Sequence, residues 1–245
     1  MSNLDNKLIP SQLIWDSNFF NLKIGEIRIF ENESYSLIDK SMDCLDFQLI
    51  YIYIDEILIK QVKHWNLGNL VDIKVTYEFK FDKEEKYSVS PQIKECKNIT
   101  PELLQLSLQA GHNSRFKTDP NFKKSDFERL YLEWMEKSIN GNMADIVLGY
   151  YDNDKIVGFV TFKMSQKDGL IGLIAVDPLF RNQGIGGKLL DAIKYYAQKN
   201  DIDKITVVTQ QNNLAACNLY MKNGFNLIEK KHVFHKWTNN NNLQK

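Results

Sequence analysis

Several classes of protein are excluded by what this sequence lacks. Only three of its 245 residues are cysteine, Cys44, Cys96 and Cys217. They are odd in number and far apart, without metal-ligand or redox spacing, so neither a disulfide framework nor a thiolate centre is expected. The expectation is buried small apolar side chains in a reducing compartment, with no metal. Charge of one sign is not in excess: Lys plus Arg and Asp plus Glu both number 31, for a formal net charge of zero. A neutral chain lacks the basic footprint of nucleic-acid or anionic-membrane binding, so any anionic ligand must be held by local groups. The longest apolar run, residues 49–54, is far below the roughly 20 residues a bilayer requires. No signal-peptide pattern opens the sequence, and the expectation is a cytoplasmic protein. Internal repeats are absent, and the Asn-rich end, residues 239–245, is expected to be a disordered tail.

What is present is ordinary globular composition, 43% hydrophobic and 25% charged. The length suits one large domain or two modest ones. Residues 1–90 are read as a small N-terminal α/β unit. It holds a strand-like run over 23–30, a buried strand over 47–54, helical spacing over 56–65 and a further strand over 70–81, together suggesting a βαβ-like arrangement. The charged run 82–86 places the boundary just before Pro91. Residues 91–238 form the second unit. Thr100 and Pro101 read as an N-cap and first helical position, and Ser125-x-x-Glu128 as a capping box opening a second helix. A loop joins these helices. A hairpin turns at residues 152–155, and residues 228–237 form a last alternating segment.

The densest information lies in residues 169–200. A buried strand over 170–176, interrupted by Gly172, stops at Asp177-Pro178. Apolar residues then recur at helical spacing from Leu189. Between them, Arg181-Asn182-Gln183-Gly184-Ile185-Gly186-Gly187 forms a Gly-rich turn at a helix N-terminus, where N–H groups and the macrodipole favour an anion. The spacing fits neither the nucleotide P-loop nor the dinucleotide fingerprint. Arg181-x-x-Gly184-x-Gly186 instead resembles the acyl-CoA pyrophosphate loop of the GNAT superfamily of N-acyltransferases. Downstream, the strand-like run 204–210 leads into Asn213-x-x-Ala216-x-x-Leu219-Tyr220-x-x-x-Gly224-Phe225, which resembles the second GNAT signature at every defined position.

The resemblance implies an α/β (α+β) fold with a mixed central sheet flanked by helices. It also implies direct acetyl transfer from acetyl-CoA to a primary amine. Ile174 and Val176 would offer backbone groups to the pantetheine arm, with Gly172 at a bulge that splays the strands. Gln183, Gly184, Ile185, Gly186 and Gly187 would hold the pyrophosphate beside Arg181. Asn213 and Ala216 would face the pantetheine, and Tyr220 would serve the departing thiolate. A Tyr near pKa 10 is a weaker acid than a thiol near about 8.5, so this aid is modest. Cys217 as a nucleophile has no base placed by sequence.

Within the superfamily, Trp15-Asp16-Ser17-x-Phe19-Phe20, residues 70–76, Ser114-Arg115-Phe116 and Gly158-Phe159-Val160-Thr161 are similar to the dTDP-fucosamine acetyltransferases. That group N-acetylates a dTDP-4-amino-4,6-dideoxyhexose, which implies a nucleotide-linked aminosugar as acceptor. Arg115, with Lys117, would then meet the diphosphate, and Asp72 and His112 would face the acceptor. Asp72, His112 and Asp119 remain candidate bases. The alternatives are a GNAT enzyme for a peptide N-terminus or small amine, and a non-catalytic acetyl-CoA-binding module. Either a monomer or a homodimer is compatible with the sequence.

Overall fold

The computed structural model describes residues 10–29, 46–82 and 85–238. Two compact units emerge, one from Met1–Lys74 with Lys230–Lys245 and one from Val75–Glu229. The division does not fall near residue 90. It falls inside strands β4 (Asn69–Lys80) and β10 (Asn226–Trp237), which each begin in one unit and end in the other. Each crossing lies inside a continuous strand, so no turn or linker marks the boundary there. Cys44 and the expected tail 239–245 lie outside the described residues.

In the first unit, β1 (Ser11–Gln12) pairs antiparallel with β2 (Ile24–Ile29). β2 runs parallel to β3 (Leu49–Asp55), and β3 pairs antiparallel with Lys231–Trp237 of β10. Ile27 and Ile29 pack with Ile50, Ile52, Ile54 and Leu58. Leu49 and Tyr51 are buried as well, so β3 is covered on both faces, as its unbroken apolar run implies. The expected βαβ helix over 56–65 does not form. A 3-10 turn over Glu56–Leu58 is followed by further tight turns, with the N–H groups of Ile59, Gln61 and Trp65 bonded three residues back. Only Leu58 and Val62 of this segment are fully buried, while Ile57 is 63% exposed. The β-branched neighbours Ile57 and Ile59 add no helical drive to offset that. In α1 (Ile14–Phe20), Trp15 stacks on Phe19 at the surface, 5.1 Å between centroids, and Phe20 alone of these aromatics is buried.

The second unit orders its strands β4-β9-β8-β7-β6-β5. β5 (Ile93–Glu95), β6 (Ile146–Asp152), β7 (Lys155–Ser165) and β8 (Asp168–Val176) are antiparallel neighbours, whereas β8 and β9 (Lys204–Gln210) are parallel. Helices α2 (Pro101–Ala110) and α4 (Lys124–Ile139) cover one face, with Leu103, Leu106 and Met135 on Val147 and Phe159. On the other face, α5 (Ile185–Lys199) and α6 (Leu214–Lys222) bury Leu189, Ile193 and Tyr220 against Val160, Phe162 and Val207. This is the mixed, helix-flanked sheet expected.

Local signals held in part. Thr100 caps α2, its Oγ1 accepting from the Leu103 N–H at 3.3 Å. The Ser125/Glu128 capping box is not used. α4 starts at Lys124, and Asp126 accepts from the Lys123 N–H at 3.2 Å, two residues earlier. The loop expected between the helices contains a single helical turn, α3 (Arg115–Thr118), capped by Ser114.

One irregularity opens the site. In the β7–β8 register Val160 faces Ile174 and Phe162 faces Ile171, so Gly172 and Leu173 together oppose Thr161. That two-against-one count is a β-bulge. Thr161 Oγ1 accepts from the Leu173 N–H at 2.8 Å, and a Cβ on Gly172 would stand 2.9 Å from the same oxygen. Past the bulge β8 leaves its other neighbour: β9 is paired only from Asp168↔Lys204 to Ile171↔Val207, although β8 continues to Val176 and β9 to Gln210.

Candidate active site

Where β8 and β9 part, a cleft of about 820 Å³ opens. From β8 come Ile174 and Val176, from the turn and α5 come Arg181, Asn182 and Gly184 to Gly187, and from the second helix Asn213 and Ala216. Of the residues expected on the acyl-donor side, only Gln183 and Tyr220 are not on the lining, and Asn182, not expected, is. The signal for Asn182 lay in its type: φ is +63°, a left-handed conformation that Asn tolerates better than most side chains.

The glycines do different work. Gly184 is the N-cap of α5 with φ +76°, and a Cβ there would meet nothing within 4 Å. No side chain caps the helix, so the first-turn N–H groups are available to an anion. Gly186 is a packing glycine, since a Cβ on it would lie 3.0 Å from Leu219 of α6. Arg181 is anchored by Nε, which donates to the Val176 carbonyl at 3.1 Å. Arg181 and Lys222 are the charged residues of the lining, and no carboxylate is among them.

Asn213 caps α6, its Oδ1 accepting from the Ala216 N–H at 3.3 Å while Nδ2 donates to Thr209 Oγ1 at 3.4 Å. Asn213→Ala should therefore lower stability by about 1 kcal/mol in addition to any effect at the cleft, read as a reduced urea midpoint at unchanged slope.

Behind the lining, Tyr220 is 2% exposed, with its ring 5.7 Å from Tyr77 and 5.8 Å from Phe225. Burial first, then the neighbouring Cys217, pushes the Tyr220 phenol well above the ordinary tyrosine range. Cys217 is buried, and its Sγ lies 3.6 Å from the Gln210 carbonyl. Among the described residues no His, Asp or Glu is hydrogen-bonded to that thiol to activate it as a nucleophile.

Of the expected acceptor-side residues, His112 lines the cleft, and the ammonium of Lys117 donates to its Nδ1 at 2.9 Å. Asp119 is buried and initiates an Asx turn, accepting from Asn121 N at 3.0 Å and Nδ2 at 2.9 Å. Asp72 is buried within β4 and belongs to the first unit rather than standing at a solvated strand end. Arg115 sits over the ring of Phe116, 4.4 Å from its centroid, and is on the lining of no described cavity.

The chemistry of this cleft fits acetyl-CoA. Uncapped helix N–H groups, two cations and no carboxylate suit phosphates, and the unpaired edge of β8 suits an extended chain of amides, which adds to a strand edge as another strand would. Among the described residues, no group of three or more His, Cys, Asp or Glu is placed to hold a metal ion, and no helix is long and apolar enough to cross a membrane.

Comparison with known proteins agrees with this geometry. The acetyltransferase (GNAT) family model matches residues 108–225. The spore coat polysaccharide biosynthesis protein SpsD of Bacillus subtilis is 20% identical over 96% of this chain and 85% of its own length. The ribosomal protein bS18 alanine N-acetyltransferase of Haemophilus ducreyi is 29% identical over 43% of this chain and 79% of its own. A functionally unknown conserved protein of Staphylococcus epidermidis shares the fold with a TM-score of 0.59 at 14% identity, covering 97% of this chain and 98% of that one. Residues 108–225 thus match the acetyltransferase (GNAT) family model, and this match, with relatives named as acetyltransferases, supports acetyl-CoA-dependent acyltransferase activity.

Proposed function

We propose that the acceptor is a nucleotide-linked aminosugar and that the acetyl group passes directly to its amine, specifically the 4-amino group of a dTDP-4-amino-4,6-dideoxyhexose. The observation that carries this reading is the extent of one similarity. A polysaccharide-biosynthesis protein matches 96% of the chain, both units included, whereas the ribosomal alanine acetyltransferase matches 43%.

Acetyl-CoA supplies an activated thioester carbonyl. The chain's own residues then have three tasks. The α5 N-terminus with Gly184 and Arg181 holds the pyrophosphate, and the parted edge at Ile174 and Val176 aligns the pantetheine. Tyr220 donates a hydrogen bond toward the sulfur, so that as the amine nitrogen bonds to the acyl carbon and the C–S bond breaks, the thiolate is stabilised. The proton lost by nitrogen passes to His112 or to water. A sugar amine is less basic than lysine near about 10.4, so a weak base suffices. His112 is the base candidate that lines the cleft.

Thiol release measured with three acceptors tests this proposal: a dTDP-4-amino-4,6-dideoxyhexose, the free aminosugar and an alanyl peptide. The nucleotide-linked sugar should lead in kcat/KM by at least about tenfold, a difference of about 1.4 kcal/mol. A lead for the peptide would reject this acceptor and favour the second reading, peptide N-terminal acetylation, which rests on the 29% identical ribosomal alanine acetyltransferase.

A further inference from the structure

A second cavity, of about 460 Å³, lies beside the cleft between α2 and the α3–α4 segment. Gln109 and His112 line both, so the two cavities adjoin at these residues. Its apolar wall includes Leu108 and Pro120, and its polar rim carries three lysines, Lys117, Lys123 and Lys124. Two carboxylates are also present, and both are engaged: Asp119 in its Asx turn, and Glu128 with Lys124 at 3.6 Å. Among the described residues Lys117 donates to His112 Nδ1 at 2.9 Å and lies over the Phe127 ring at 5.4 Å. Among the described residues neither Lys117 nor Lys123 has a carboxylate within ion-pair distance. The sign of this rim is therefore positive, in a chain whose net charge is zero.

We infer that this cavity is the acceptor's phosphate site: it takes the diphosphate of a nucleotide-linked amine, with Lys117 and Lys123 as its cations. This rests on the aminosugar reading above and moves the diphosphate contact away from Arg115, whose guanidinium is turned onto Phe116. Two flexible ammonium groups on a rim read charge without demanding one geometry, which suits a diphosphate that must pivot while the sugar amine is aligned. Lys117 also ties the site to chemistry. An anion that draws its ammonium away from His112 Nδ1 leaves that nitrogen's lone pair available to a proton.

The test is direct binding, so it does not depend on turnover. Calorimetry with dTDP, and separately with inorganic pyrophosphate, each in saturating CoA so that the cradle at Arg181 and the α5 N-terminus is already filled, compares the wild-type chain with Lys117→Ala/Lys123→Ala. Both probes should bind the wild type, and the double variant should weaken both by at least about tenfold. Acetyl-CoA affinity should change less than about twofold, because its cleft keeps Arg181 and the α5 N-terminus. The exposed single variant Lys123→Glu should weaken dTDP as well, which guards against an effect routed only through His112. Failure of dTDP to bind the wild type, or equal affinity in wild type and double variant, overturns the site. The outcomes separate from those of the acceptor panel. If a dTDP-aminosugar is acetylated with a KM indifferent to both lysines, this cavity is wrong and the function stands. If no aminosugar is acetylated but dTDP binding depends on the lysines, the cavity stands and the aminosugar reading falls.

Discussion

A Gly184→Glu chain should fold and lose acetyl-CoA binding by about 100-fold or more, close to 3 kcal/mol. Folding survives because a side chain at this position meets no protein atom within 4 Å. The cost to the protein is conformational: φ is +76°, and a non-glycine residue there is strained by about 1–2 kcal/mol. The larger loss is electrostatic and steric. The new carboxylate lies at the uncapped N-terminus of α5, competes for the N–H groups that would bind phosphate, and repels the phosphates themselves. Gly184→Ala separates the two effects, since it carries the strain without the charge and should bind acetyl-CoA far better than the Glu variant. Calorimetry on both, with thermal melts to confirm folding, decides the matter; unchanged affinity in a folded Glu variant would show that the pyrophosphate lies elsewhere.

Tyr220→Phe should reduce turnover by about 10²–10⁴ while leaving acetyl-CoA affinity nearly intact, if its hydroxyl serves the leaving thiolate. Burial makes this phenol a weaker acid than usual, so its contribution is a hydrogen bond that strengthens as negative charge develops on sulfur. The pH dependence follows from the sign. A phenol whose pKa is raised above about 10 stays protonated throughout the neutral range, so the Tyr220 contribution should be undiminished from pH 6 to 9 and lost only at strongly alkaline pH. The same shift contributes stability at neutral pH that disappears as pH climbs through the raised pKa. A loss of turnover below about threefold in the Phe variant would leave Tyr220 as a packing residue between Tyr77 and Phe225.

The sequence by itself determined the fold class and an expectation for the acyl-donor residues, most of which line one cleft. Those features rest on the resemblance of two short signatures, supported by local rules: glycines in the turn before a helix, a Pro that ends β8, apolar periodicities that declare strands and helices. Each acts over a few residues, so each is written in a short stretch of sequence. The bulge at Gly172 was implied by the same resemblance, and a glycine inside a buried strand is compatible with one.

Tertiary structure decided the rest. The boundary between units lies inside β4 and β10, and β10 returns from the C-terminal end to pair with β3, a long-range choice that no local pattern announces. The helix expected over 56–65 gave way to tight turns because the core required Leu58 and Val62 but left Ile57 to solvent. Most consequential was the acceptor side. Arg115 was the first choice in its segment for its two-pronged guanidinium, yet one helical turn set that group over Phe116 and put Lys117 on the cavity rim. A helical turn advances each successive side chain by about 100°, so within α3 two residues of difference decide which cation faces the ligand. That rotation depends on where the turn begins, at Ser114, and on what packs against it, neither of which a loop reading contains.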